Sequence, residues 1–150
     1  MKIQNVKLKM VRENIGEYKV RDFKATSPIT VVNVINTVFD IADDTQENLG
    51  ILLLDTKNKI IGAELIGRGT VNACMASPRD ILQRALMIGA VNIILFHNHP
   101  SGETEPSRDD ISLTKRIKEA CNIMDIGLLD HIIIGADTYT SFKEDSISGL

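Results

Sequence analysis

The chain has 150 residues, room for one domain and little more. With 43% hydrophobic and 25% charged residues it can bury a real core, which excludes a disordered chain. Its net charge of -3 is opposite to the basic excess of a generic nucleic-acid binder.

Residues 1–26 are mixed and locally basic, with Ile3, Val6, Leu8 and Met10 in alternation, and are expected to form an N-terminal arm or a weak edge strand. The remainder, residues 27–150, reads as one domain. Ser27 and Pro28 carry the signature of a helix start, and Val31, Val34, Ile35, Val38 and Phe39 follow at helical spacing. Asp43, Asp44, Gln46 and Asn48 read as a polar loop. An apolar run from Leu49 to Asp55, turn residues Thr56–Asn58 and a return run from Lys59 to Gly67 predict a hairpin. Ser77-Pro78-Arg79-Asp80 repeats the helix-start pattern, with Asp80 placed for a capping box. Ile81, Leu82, Ala85, Leu86 and Ile88 give that helix a buried face, and Gly89 ends it.

The apolar run Val91–Phe96 predicts a central strand leading into His97-Asn98-His99-Pro100-Ser101-Gly102. A third helix follows Pro106-Ser107, with Leu113, Ile117, Ala120, Cys121 and Met124 along one face. Strands are expected at Leu128–Ile134 and Thr138–Phe142. Helices and strands alternate after an initial hairpin, so the fold class is α/β (mixed α+β), a mixed sheet with helices packed on it.

Cys74 and Cys121 are lone thiols outside any Cys-x-x-Cys pair, which suits buried cysteines better than a disulfide scaffold. The polar–apolar alternation at the start of the chain argues against a secretory signal, and no run approaches the roughly twenty apolar residues of a membrane span. A cytoplasmic protein without membrane partners is expected.

The chemistry concentrates between His97 and Asp110. Residues i and i+2 of a strand point to the same side, so His97 and His99 can converge on one point. The loop that follows is long enough to fold Asp110, in the first turn of the next helix, back to that point. Two imidazoles and a carboxylate suit Zn²⁺ and leave its fourth tetrahedral position open, as catalytic zinc sites do. Hydrolysis also requires a group that takes a proton from water and gives one to the leaving amine, which one carboxylate can do. Glu64, on the return strand of the hairpin, is a candidate. Spacing alone does not select it, and Glu103 and Glu105 are nearer in sequence but sit in a solvated loop.

His97-x-His99, seven residues, then Ser107-x-x-Asp110 resembles the JAMM motif of the MPN-domain metallopeptidases. His99-Pro100-Ser101-Gly102, Pro106-Ser107, Leu129-Asp130-His131 and a Glu shortly before Gly69-Thr70 bring the chain closer to the bacterial RadC family, over roughly residues 28–145. The resemblance implies an MPN-type, cytidine-deaminase-like architecture. It implies zinc ligands at His97, His99 and Asp110, an acid/base at Glu64, and Ser107 bonded to the substrate oxyanion or the attacking water. The implied reaction is hydrolysis of a peptide or isopeptide bond in a protein substrate. Two departures stand out: residues 1–26 are too short and polar to copy the family's usual N-terminal helical segment, and Leu65 stands where many relatives carry a second acid.

Simpler readings exist for some of these residues. Ser107 and Asp110 form a helix-capping pair without any metal, and Glu64 can be an ordinary exposed strand residue. His131 suits either a structural hydrogen bond or a place behind a metal ligand. The functional alternative is a metal-bearing binding module in DNA repair or mobile-element biology with little catalysis, which the family association suggests and salt-sensitive DNA retention would favour. A zinc deaminase is excluded, because His99 stands where its Glu belongs and no Cys pair follows.

Overall fold

A computed structural model describes residues 24–69, 76–148 and 150. The expected arm therefore falls mostly outside the described residues, as do Thr70 and Cys74. Lys24 pairs with Lys59 in an isolated antiparallel bridge, and Ala25 N–H donates to the Asn58 carbonyl.

The elements run α1 (Pro28–Phe39), β1 (Glu47–Leu54), β2 (Ile60–Gly69), α2 (Pro78–Ile88), β3 (Asn92–Asn98), α3 (Arg108–Ile123), β4 (Gly127–Ile134) and β5 (Tyr139–Ser141). The five strands form one mixed sheet in the order β2-β1-β3-β4-β5. β1 pairs antiparallel with β2 and with β3, β4 with β5, while β3 and β4 are parallel. A parallel pair needs a crossover, and α3 supplies it. The expected mixed sheet flanked by helices is the observed one.

Both faces of the sheet are covered. On one, α2 and α3 bury Leu49, Ile51 and Leu53 of β1 together with Ile93 and Leu95 of β3. On the other, α1 packs Val31, Val32 and Ile35 against Leu52, Leu54, Ile94, Phe96, Ile132 and Ile134. Two-sided burial explains why β1 and β3 read as continuous apolar runs instead of alternating ones. Truncating one of these fully buried side chains to Ala would cost roughly 2–5 kcal/mol.

Each helix start is chemically specified. Ser27, Ser77 and Ser107 are the N-caps, and α2 and α3 carry complete capping boxes with Asp80 and Asp110. Gly89, at φ 71°, closes α2 in the left-handed region that favours glycine. Two expectations about helix faces are corrected. Leu86 is 51% exposed, because α2 turns Ile81, Leu82 and Ala85 inward and leaves Leu86 on the far side. Met124 caps α3 and is largely exposed, so the apolar face of that helix ends one turn earlier. Among the described residues no helix is long and apolar enough to cross a membrane.

Candidate metal centre

The expected hairpin starts two residues earlier than its apolar run indicates. β1 begins at Glu47, not Leu49, and the odd-numbered residues Glu47, Leu49, Ile51 and Leu53 then share the α2/α3 face. β1 runs antiparallel to β3 with Leu49 opposite His97, which brings Glu47 past the carboxyl end of β3. His97 is the last inward residue of β3, and His99 begins the loop beyond it.

That loop is held firmly. His99 N–H donates to the Ile134 carbonyl at 2.9 Å, and Gly102 N–H to the His99 carbonyl at 2.9 Å. Thr140 Oγ1 bonds Thr104 Oγ1 at 2.9 Å. A Cβ on Gly135 would collide with the Gly102 carbonyl, so the loop lies directly on the end of β4. The chain then turns into α3, whose first turn carries Asp110 back to the histidines.

Glu47, His97, His99 and Asp110 offer one ligand atom each, and these four atoms lie within 4.8 Å of one another. His97 Nε2 is 3.0 Å from His99 Nε2 and 3.2 Å from Asp110 Oδ1. His99 Nε2 is 3.6 Å from Asp110 Oδ2. Atoms bound to one zinc at about 2 Å stand about 3.3 Å apart at tetrahedral angles, so these three separations fit a shared ion. Glu47 Oε1 stands further back, 4.0 Å from His97 Nε2. The site is enclosed: His97 and Asp110 are buried, and only His99 and Glu47 are partly open to solvent.

Hydrogen bonding aims the donors. His99 Nδ1 lies 2.6 Å from the Glu103 carbonyl, which can only accept, so this nitrogen carries the proton and the neutral ring presents its Nε2 lone pair to the centre. Asp110 Oδ2 accepts from Ser107 N–H at 2.7 Å and from Ser107 Oγ–H at 2.6 Å, leaving Oδ1 to face His97. Burial alone would push the Asp110 carboxyl up, but its contacts with His97, His99 and Ser107 hold it well below the usual carboxylate range. The hydrogen bond to Asp110 raises His99 above the usual histidine value, against the opposing effect of burial.

His97, His99 and Asp110 therefore come together as the sequence leads one to expect. Ser107 stands beside them, with its hydroxyl donating to Asp110 Oδ2. Glu64 is not brought together with them. Its carboxylate is 47% exposed, 2.8 Å from Arg84 Nε of α2, and outside the four-residue cluster. β2 is an edge strand in which Glu64 pairs with Ile51, further along the sheet than Leu49 and His97, so it cannot reach the point where Glu47 stands. The sequence did hold a hint of Glu47: it continues the alternation Leu49, Ile51, Leu53 outward by one step. Only the pairing of β1 with β3 gives that hint meaning.

Asn98 locks the arrangement from behind. Fully buried, its Oδ1 accepts from Asn48 N–H at 2.7 Å and its Nδ2 donates to the Gln46 carbonyl at 3.1 Å. The residue between the two histidines thus grips the backbone on both sides of Glu47. Arg68 completes the frame by pairing with Asp44 at 2.9 Å.

The family model described as "RadC-like JAB domain" matches residues 25–147. A "UPF0758 protein" of Pseudomonas syringae pv. tomato is 41% identical over 140 residues, covering 93% of this chain and 62% of that one. A "UPF0758 protein" of Streptococcus gordonii is 47% identical over 107 residues, or 71% of this chain and 47% of the relative. One from Clostridium beijerinckii is 42% identical over 123 residues, or 82% and 53%. The chain thus spans about half to three fifths of the length of these curated relatives. The family match covers the entire described sheet and the whole histidine–aspartate centre, and the chain belongs to the RadC-like JAB domain family.

Proposed function

We propose that this domain is a zinc-dependent hydrolase of peptide or isopeptide bonds, with His97, His99 and Asp110 as zinc ligands and Glu47 as the acid/base. The observation that carries the reading is the separation of roles within the cluster. Three ligand atoms have the mutual spacing of a tetrahedral site, and a second carboxylate, that of Glu47, stands just behind them. Zinc held by His97, His99 and Asp110 would supply Lewis acidity toward a substrate carbonyl and an attacking water.

The chain's own residues do the rest. Glu47 accepts the proton of the attacking water and hands it to the departing nitrogen, which must be protonated to leave. Asp110 keeps its negative charge because Ser107 and both histidines hold it ionised. His99 is kept from rotating by the Glu103 carbonyl. Asn98 holds Glu47 at a fixed place relative to the histidines, which matters because acid/base transfer depends on hydrogen-bond reach.

The test compares two glutamates in zinc-loaded protein, using a library of quenched fluorescent peptides that includes lysine-linked isopeptides. Glu47→Gln should retain zinc and lose cleavage by about 10²–10⁴-fold. Glu64→Gln should leave both unchanged, since Glu64 is occupied with Arg84 on the sheet edge. The reading fails if zinc-loaded wild type cleaves no member of the library, or if Glu47→Gln cleaves as fast as wild type.

A further inference from the structure

Behind His97 lies a buried chain of hydrogen bonds that the hydrolytic reading does not use. His97 Nδ1 is 2.8 Å from His131 Nε2, and His131 Nδ1 is 2.7 Å from Thr114 Oγ1. Thr114 Oγ1 is in turn 2.7 Å from the backbone carbonyl of Asp110, one turn earlier in α3. His131 and Thr114 are fully buried and His97 nearly so, so no water competes for these atoms. The chain starts at one candidate zinc ligand and ends on the backbone of another.

We propose that Thr114 and His131 are positioning residues that fix the ring tautomer of His97, so that a lone pair on Nε2, not an N–H, faces the centre. The consequence for metal binding rests on the zinc reading above; the tautomer itself does not.

The direction of every bond follows from its last link. A carbonyl can only accept, so the Thr114 hydroxyl spends its single proton on the Asp110 carbonyl. The hydroxyl oxygen is then an acceptor for its other neighbour, and His131 Nδ1 must carry a proton. A neutral His131 has Nε2 bare, and His97 Nδ1 must donate to it. With its proton on Nδ1, a neutral His97 has Nε2 bare as well, and any second proton that Nε2 shares with Asp110 Oδ1, 3.2 Å away, leaves the direction of the chain unchanged.

Two other assignments break the chain. Reversing all the bonds would direct the Thr114 proton to His131 and leave its oxygen facing the Asp110 carbonyl at 2.7 Å with no hydrogen between. Charging His131 on both nitrogens would place a cation in a fully buried ring whose nitrogens bond His97 and Thr114, and among the described residues no carboxylate is hydrogen-bonded to that ring. The ring is also fixed in orientation, stacked on Phe142 with centroids 4.8 Å apart. A metal can bind only through a lone pair, so the hydroxyl of Thr114, two imidazoles away, decides whether His97 can be a ligand.

Metal-free protein labelled with ¹⁵N in its three histidines tests this directly, because long-range ¹H–¹⁵N spectra tell Nδ1–H from Nε2–H rings. Wild type should show both His97 and His131 as Nδ1–H. In Thr114→Val, His131 loses its acceptor and both rings should turn to Nε2–H. Zinc affinity, read by competition with a chelator, should then fall about 10–100-fold. Thr114→Ser keeps the hydroxyl and should keep wild-type tautomers and affinity. A merely space-filling Thr114 would give the reverse ranking, since Val matches its shape better than Ser does. The proposal is overturned if His97 carries a proton on Nε2 and none on Nδ1 in the wild type, a spectrum that decides even where the Val variant fails to fold. It is equally overturned if Thr114→Val changes neither tautomer nor affinity. Nδ1–H rings in a protein that takes up no zinc support the chain and sink the zinc reading, while zinc uptake with an Nε2–H His97 does the opposite.

Discussion

The molecule builds the same device twice. At the start of α2, Ser77 Oγ–H donates to Asp80 Oδ2 at 2.7 Å and Asp80 N–H returns a bond to Ser77 Oγ at 3.2 Å. At the start of α3, Ser107 Oγ–H donates to Asp110 Oδ2 at 2.6 Å and Asp110 N–H to Ser107 Oγ at 3.1 Å. Locally the two capping boxes are nearly superimposable in their bonds, yet their surroundings differ. Asp80 is half-buried with the charges of Arg79 and Arg84 about it, while Asp110 is 2% exposed and faces two imidazoles. A cap occupies one carboxylate oxygen and leaves the other free. Whether that free oxygen becomes a ligand depends on what the sheet brings opposite the helix end.

Paired substitutions can break or sharpen this contrast. The largest effect is expected from Asp110→Asn, whose amide oxygen can still accept the cap bonds but which loses the ligand charge. Elemental analysis should find about one zinc per chain in wild type and none in the variant, while Asp80→Asn retains zinc in full. Next comes Ser107→Ala, which frees Asp110 to rotate and should weaken zinc binding about 10–100-fold in a chelator competition. Ser77→Ala should leave zinc affinity untouched.

A smaller and graded effect is expected with pH. His99 is raised above its ordinary value by Asp110, so in metal-free protein it holds its proton below that raised value. Zinc must displace this proton, and its affinity should fall as pH drops through that range, by up to about tenfold per pH unit. The sign is opposite for the metal-free fold. There the His99–Asp110 contact stabilises at low pH and is lost as pH rises through the folded value of His99. Calorimetric titration across the range would expose the reverse case, an affinity that rises on acidification. The smallest effect is the pure cap: Ser77→Ala should cost about 1 kcal/mol in thermal or denaturant unfolding and nothing else.

Much of the fold was legible in the sequence because its signals are local. Ser27-Pro28, Ser77-Pro78 and Ser107 mark the three helix starts through the geometry of capping, and each is the observed N-cap. The apolar runs at 49–55, 91–96 and 128–134 are strands because both sheet faces are covered. The outer parts were less legible. Leu86 has the right spacing for the buried face of α2, but spacing does not say how wide that face is once the helix docks. The strand preceding the turn at 56–58 begins at Glu47 because its antiparallel partner β2 extends the ladder to Glu47 opposite Gly69, beyond the apolar residues.

The candidate site divides the same way. His97, His99, Ser107 and Asp110 lie within one stretch of chain, so strand periodicity and a helix cap suffice to bring them into view. Glu47 and His131 do not: one comes from a strand antiparallel to β3 and the other from a strand parallel to it. Both converge on His97 through pairings formed across fifty and thirty-four residues of sequence. Sequence alone therefore determined which residues carry ligand chemistry, since ligand type and short spacing are properties of the chain. Only the tertiary structure decided which glutamate stands beside the histidine–aspartate cluster and what each ring nitrogen of His97 faces, because both depend on sheet register and on hydrogen bonds that no local pattern encodes.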